Sequence, residues 1–140
     1  MSAAPTTVIY ACVHNAGRSQ MAAAFFNQLV DPAKARGISA GTQPGERVHL
    51  EVLATMAELG IDLSAVKPQK LTPERVADCG WLVTMGCGEE CPVAPGHVRR
   101  LDWPLEDPKG KSVARVREIR DDVQRRVSVF IAENGWERAT

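Results

Sequence analysis

The chain has no excess charge of either sign. Its 140 residues carry seventeen basic and seventeen acidic side chains, with the basic ones scattered, which excludes the electrostatic footprint of a nucleic-acid or anionic-membrane binder. A long apolar run is also lacking, and Met1-Ser2-Ala3-Ala4-Pro5 brings no positive leader, so neither a spanning segment nor a secretory signal is expected. No repeat or low-complexity linker divides the sequence. The expectation is one domain over residues 1–140, able to bury roughly two-thirds of its unfolded surface without staples, in the cytoplasm. Four cysteines in that compartment point to reactive or metal-binding thiols before structural disulfides.

What is present begins with Cys12-Val13-His14-Asn15-Ala16-Gly17-Arg18-Ser19, set between the apolar run Val8-Ile9-Tyr10-Ala11 and the amphipathic run Met21 to Leu29. A thiol at the carboxyl end of a buried strand, followed by a loop whose backbone N–H groups converge at a helix N-terminus, makes a site for a tetrahedral dianion. The same field favours thiolate over thiol. Arg18 lies where a planar guanidinium can fold back over the loop and hold two oxygens. Ser19 can donate its hydroxyl hydrogen to the sulfur anion. Asn15 tolerates left-handed backbone angles, and Gly17 removes a Cβ where the backbone must approach an anion. The bland alternative is a buried strand-end cysteine beside a surface arginine. It leaves the placement between strand and helix unexplained.

Buried-strand runs alternate with helical patterns, which predicts an α/β fold with a parallel sheet. The expected order is a strand over Thr7 to Ala11, a helix from Arg18 to Leu29, and a short strand at Ile38-Ser39-Ala40. A helix follows from His49 to Leu59, with Leu50, Leu53, Met56 and Ala57 on one face. A short helix after Thr72-Pro73, a strand over Trp81 to Met85 and a fourth strand near Val98 to Leu101 come next. The last helix runs from Ser112 to about Ala132, burying Val113, Val116, Ile119, Val123, Val127 and Phe130. In such a sheet the ligand crevice lies beyond the carboxyl ends of the strands. Cys12 falls there, and the third strand leads toward it with Gly86-Cys87-Gly88-Glu89-Glu90-Cys91-Pro92.

Cys87 and Cys91 could be zinc ligands, but with only Cys79 and His97 nearby they lack a convincing set of four; a redox relay fits better, and no metal is expected. Cys79 precedes the third strand and reads as a buried bystander. His14 should point away from the sulfur, and His49 and His97 have no metal-ligand spacing. Trp103 either walls the crevice or packs in the core.

The strand followed by Cys12-x5-Arg18-Ser19, together with Asp107-Pro108, resembles the low-molecular-weight protein tyrosine phosphatase fold over essentially the whole chain. The resemblance implies a single domain with a four-stranded parallel sheet, order 2-1-3-4, and helices on both faces. Two details are more similar to the thiol-dependent arsenate reductases of that fold. Gln20 stands where the phosphatases have proline, and Cys87 and Cys91 stand where those reductases carry resolving thiols. Lys109-Gly110 follows Asp107-Pro108 without the tyrosine that frames an aromatic substrate in the phosphatases. Ala23 replaces a glutamate that helps some members bind potassium.

The implied function is a thioredoxin-coupled arsenate reductase. Residues 12 to 19 bind arsenate, Cys12 attacks it, and Asp107, ahead of its neighbour Glu106, protonates the departing oxygen. Cys87 then forms a disulfide with Cys12, and Cys91 moves it to a Cys87–Cys91 pair that thioredoxin reduces with NADPH-derived electrons. No bound cofactor is implied, and the partners are arsenate or phosphate-like oxyanions and thioredoxin, with the chain acting as a monomer. A tyrosine phosphatase with protective thiols, and a non-catalytic oxyanion or redox sensor, are the competing readings; weak phosphatase side activity is compatible with the first choice. A helical Cys87–Cys91 spacing would hold the Cβ atoms roughly 5–6 Å apart, against about 3.8 Å in a disulfide. The segment from Gly86 to His97 should therefore rearrange on oxidation.

Overall fold

A computed structural model describes residues 5–86 and 95–138. The chain runs β1 (Thr6–Cys12), α1 (Arg18–Leu29), β2 (Ala35–Gly41), α2 (Leu50–Ala57), α3 (Pro73–Ala77), β3 (Trp81–Thr84), β4 (Arg99–Asp102) and α4 (Val113–Glu133). All strand pairs are parallel, in the order β2-β1-β3-β4. Alternation along β1 divides the core between the two faces of the sheet. Val8, Tyr10 and Cys12 face α1 and α4, packing with Phe26, Val123 and Phe130, whereas Ile9 and Ala11 face Leu71, Val76 of α3, Leu82 and Val98. Among the described residues no helix is long and apolar enough to cross a membrane.

The elements arise where expected, with three local corrections. The second strand spans seven residues instead of three, because β2 pairs with all of β1 from Thr6↔Ala35 to Cys12↔Gly41. Gly37 is needed inside it: a methyl there would lie 2.9 Å from Phe26 Cδ1 of α1. The second helix is rotated from the expected face: Met56 is buried and Leu53 packs partly against the core as expected, but Leu50 and Ala57 turn outward. Val52, Thr55 and Met56 are buried while Leu50 is 59% exposed, because Arg120 of α4 bonds Thr55 O at 2.7 Å and Glu58 Oε1 at 2.8 Å and thereby sets which side meets α4. On α4 itself Val113 is exposed, and Arg120 and Ile131 join the buried stripe. Val113 stands in the first turn, beyond the reach of the core.

Six of the seven aromatic side chains form one network of tilted and edge-to-face rings, Tyr10, Phe26, Trp81, Trp103, Phe130 and Trp136. Trp103 thus belongs to the core, although it also borders an open cavity of about 430 Å³ with Thr84, Gly86, Arg100, Asp102 and Pro104.

Candidate active site

Cys12, 2% exposed, ends β1 at the middle of the sheet. The chain leaves the strand through a tight loop that Gly41 of β2 permits, since a Cβ at Gly41 would stand 2.6 Å from Val13 O and 2.9 Å from Asn15 N. The next stretch of chain takes up the loop's carbonyls in turn. N–H groups of Thr42, Gln43, Gly45 and His49 donate to the oxygens of Cys12, Val13, His14 and Ala16 at 3.2, 2.8, 2.9 and 2.9 Å. In a planar trans peptide the N–H points opposite to the C=O. Fixing those four carbonyls outward therefore turns the N–H groups of Val13, His14, Asn15 and Gly17 toward the concave side, where an oxyanion would lie. Gly17 caps α1 without a side-chain bond, and the first turn of the helix contains no acidic residue, leaving its positive end free for an anion.

Asn15 organises the loop from beneath. Its φ of 50° is the one positive value among non-glycine residues described. The side-chain oxygen accepts from Gln69 N at 2.9 Å and Gln20 Nε2 at 3.1 Å, and its amide donates to Ser19 Oγ at 2.7 Å. Ser19 Oγ lies 2.9 Å from Cys12 Sγ. Because Asn15 donates into that hydroxyl, the Ser19 hydrogen is free for the sulfur, and Ser19 is the donor whenever Cys12 is a thiolate.

Arg18 is 6% exposed and extends from the first residue of α1 across the crevice. Its Nη1 donates to Leu105 O at 3.0 Å, and Nη2 stands 3.8 Å from Asp107 Oδ2. Gly86 has φ of 90°, and a Cβ there would collide with Arg18 Nη1, so a side chain at this position must displace the guanidinium. Asp107 is 45% exposed and accepts from Lys109 N at 3.0 Å. The buried Pro108 that follows presses on the loop: a methyl on Gly17 would lie 2.7 Å from its Cγ. The glycine at position 17 thus serves the contact with the Asp107 turn as well as the approach of an anion.

Of the other residues considered, His14 turns its Nδ1 to Gln43 O at 3.2 Å. Glu106 is paired with Arg115 at 2.9 Å, and those hydrogen bonds hold its carboxyl below the usual glutamate range. That makes it a poor proton donor beside Asp107. Cys79 is buried on the opposite face of the sheet, bonded to Val76 O at 3.1 Å, and burial pushes its thiol up. His97 bonds Ala77 O at 2.8 Å. Cys87 and Cys91, and most of the segment expected to rearrange, lie outside the described residues. Gly86, the residue before Cys87, stands at the Arg18 guanidinium, so the chain departs toward Cys87 from the crevice itself. His49, to which the sequence assigned no role once metal-ligand spacing was lacking, places its ring 3.5 Å from where a Cβ on Gly17 would stand. A histidine at a helix N-cap, where Ser, Thr, Asp or Asn is usual, was the available signal.

The family description "low molecular weight phosphotyrosine protein phosphatase" matches residues 7–138. The chain belongs to this family. Within the family, it is 41% identical over 135 residues to a Halobacterium salinarum protein provisionally named an arsenate reductase, with 91% of this chain and 92% of that one covered. It is 35% identical over 130 residues to the glutaredoxin arsenate reductase of a Synechocystis species, covering 90% and 96%. Among solved structures it is similar to a thioredoxin-dependent arsenate reductase of Corynebacterium glutamicum, with a TM-score of 0.79, 31% identity and 95% of this chain covered. The family member described here spans 63% of the length of that Corynebacterium chain. An arginine phosphatase of Geobacillus stearothermophilus, 22% identical with a TM-score of 0.78, shares the fold.

Proposed function

We propose that this chain reduces arsenate to arsenite through a relay of three thiols. The observation that carries the reading is the pairing of β1 with β3 at Ala11↔Thr84. It brings the chain that continues into Cys87 out at Gly86, against the same Arg18 that faces the Cys12 loop. Relatives at 30 to 41% identity over about nine-tenths of the chain bear arsenate reductase names, which supports the same choice.

In this reading the Cys12 thiolate, steadied by Ser19, attacks arsenic(V) bound to the loop N–H groups and Arg18. The sulfur–arsenic bond forms, an arsenic–oxygen bond breaks, and the oxygen leaves as water with the Asp107 proton. A Cys87 thiolate next attacks the Cys12 sulfur. The sulfur–sulfur bond forms, the sulfur–arsenic bond breaks, and its electron pair stays on arsenic, now arsenite. Attack of Cys91 on Cys87 releases Cys12 and leaves a Cys87–Cys91 disulfide for thioredoxin, fed by NADPH. The chain acts as a cytoplasmic monomer with no bound cofactor. Hydrolysis of phosphate esters is a weak side activity, since the loop accepts a phosphoryl group in the same way while Lys109-Gly110 offers no aromatic wall.

Arsenate-dependent NADPH oxidation with thioredoxin and thioredoxin reductase, beside a glutaredoxin arm, tests this. Cys12→Ser, Cys87→Ser and Cys91→Ser should each abolish multiple turnover, and Cys91→Ser should accumulate a Cys12–Cys87 bond detectable by peptide mass mapping. Normal turnover of the Cys87 or Cys91 variant would rule out the relay, and faster turnover with glutaredoxin would replace thioredoxin as partner.

A further inference from the structure

His49 breaks the usual rule for the start of a helix. It occupies the N-cap of α2 and makes no side-chain hydrogen bond to it, although the position favours residues that do. Its groups serve the Cys12 loop instead. The backbone N–H donates to Ala16 O at 2.9 Å, and a methyl built on Gly17 would lie 3.5 Å from His49 Cδ2 as well as 2.7 Å from Pro108 Cγ. Gly17, Pro108 and His49 therefore meet at one point. That point joins the loop that would hold the oxyanion to the turn that carries Asp107.

We propose that His49 is a positioning residue for Asp107: its ring, on the side of Gly17 where an added methyl would meet both it and Pro108, fixes the turn that aims the Asp107 carboxyl at the oxygen leaving arsenate. This rests on the reading of Asp107 as the acid. The chemistry of the side chain suits the place. Charged groups that act on the ring are Asp107 and Lys109 of the turn, Glu51 of α2 and His14 of the loop. Burial lowers the ring below the ordinary histidine range, and Asp107 is the largest charge opposing that shift. A neutral ring near pH 7 holds the turn without adding a cation that would keep Asp107 ionised. A lysine there would oppose protonation of the acid, and a carboxylate would repel the incoming dianion.

His49→Ser tests the proposal, because it deletes the ring while supplying an N-cap hydroxyl that keeps α2 stable. Expected are a melting temperature equal to or above wild type, phosphate inhibition within about twofold, and kcat for arsenate reduction lower by roughly tenfold or more. Aryl phosphate hydrolysis should fall more for phenyl phosphate than for p-nitrophenyl phosphate, since the poorer leaving group needs the acid more. In an Asp107→Asn background the substitution should add little. Unchanged kcat, an equal loss on both esters, or the full loss retained in the Asp107→Asn background would overturn the proposal. A wild-type protein that hydrolyses the esters and never reduces arsenate would overturn the reductase reading alone, with the ester series still deciding the role of His49.

Discussion

Gly17 is the N-cap of α1 and faces the turn that carries Asp107. Gly17→Ala brings a methyl to 2.7 Å from Pro108 Cγ, and the turn must retreat with Asp107. The expected result is a fall of roughly tenfold or more in turnover with little change in melting temperature, read by steady-state kinetics and thermal melts. Gly86→Ala differs: its positive φ and its contact with Arg18 both oppose a side chain. Asn15 carries another prediction. Both lone pairs of its side-chain oxygen are taken, by Gln69 N and Gln20 Nε2, so that oxygen is not available as a cation ligand, and Ala23 offers no carboxylate in its place. Replacing potassium with sodium or choline at constant ionic strength should leave the rate unchanged; a severalfold gain with potassium would refute this. At this scale much of the site was legible in the sequence. Cys12, Asn15, Gly17, Arg18 and Ser19 are contiguous, and the chemistry of each side chain suits its place in a strand-to-helix loop. His49 was not legible, because its hydrogen bond to Ala16 and its approach to the loop are made across the fold.

Among the elements, α2 has His49 at its start and Glu58 at its end, and α4 holds that end in place. Glu58 bonds Arg117 and Arg120, which lower its carboxyl from 4.5 to about 2. The folded pKa lies below the unfolded one, so the stabilisation is present in full above about 4.5 and is lost as the pH falls through about 2. The melting-temperature difference between wild type and Glu58→Gln should therefore be constant at neutral pH and shrink on acidification across that window. A difference independent of pH would show that the ion pair contributes nothing. The sequence shows that α2 is a helix but is ambiguous about its face. Leu50, Leu53, Met56 and Ala57 form one apolar stripe and Val52, Thr55 and Met56 an overlapping one; only the partner helix, through Arg120, selects between them.

For the molecule as a whole, the order β2-β1-β3-β4 places β1 inside the sheet and puts the Cys12 crevice at its carboxyl edge. A ligand that binds only the folded chain stabilises it by about 2.7 kcal/mol at a hundredfold excess over Kd. Phosphate should accordingly raise the melting temperature by several degrees. The rise should be largely lost in Gly86→Ala, where Arg18 is displaced; an undiminished shift would mean that Arg18 takes no part in binding the anion.

The sequence by itself determined the local chemistry: a thiol at a strand end, donors at a helix start, an arginine six residues on, and helix and strand periods that follow from side-chain spacing alone. Tertiary structure decided what no spacing encodes. Parallel pairing of β1 with β3 carries the chain toward Cys87 to the guanidinium of Arg18, and the packing of Pro108 on Gly17 brings Asp107 within 3.8 Å of it. It also determined that a histidine at the head of α2 would rest on the loop, because these contacts join residues remote in sequence and depend on how the faces of the sheet are covered.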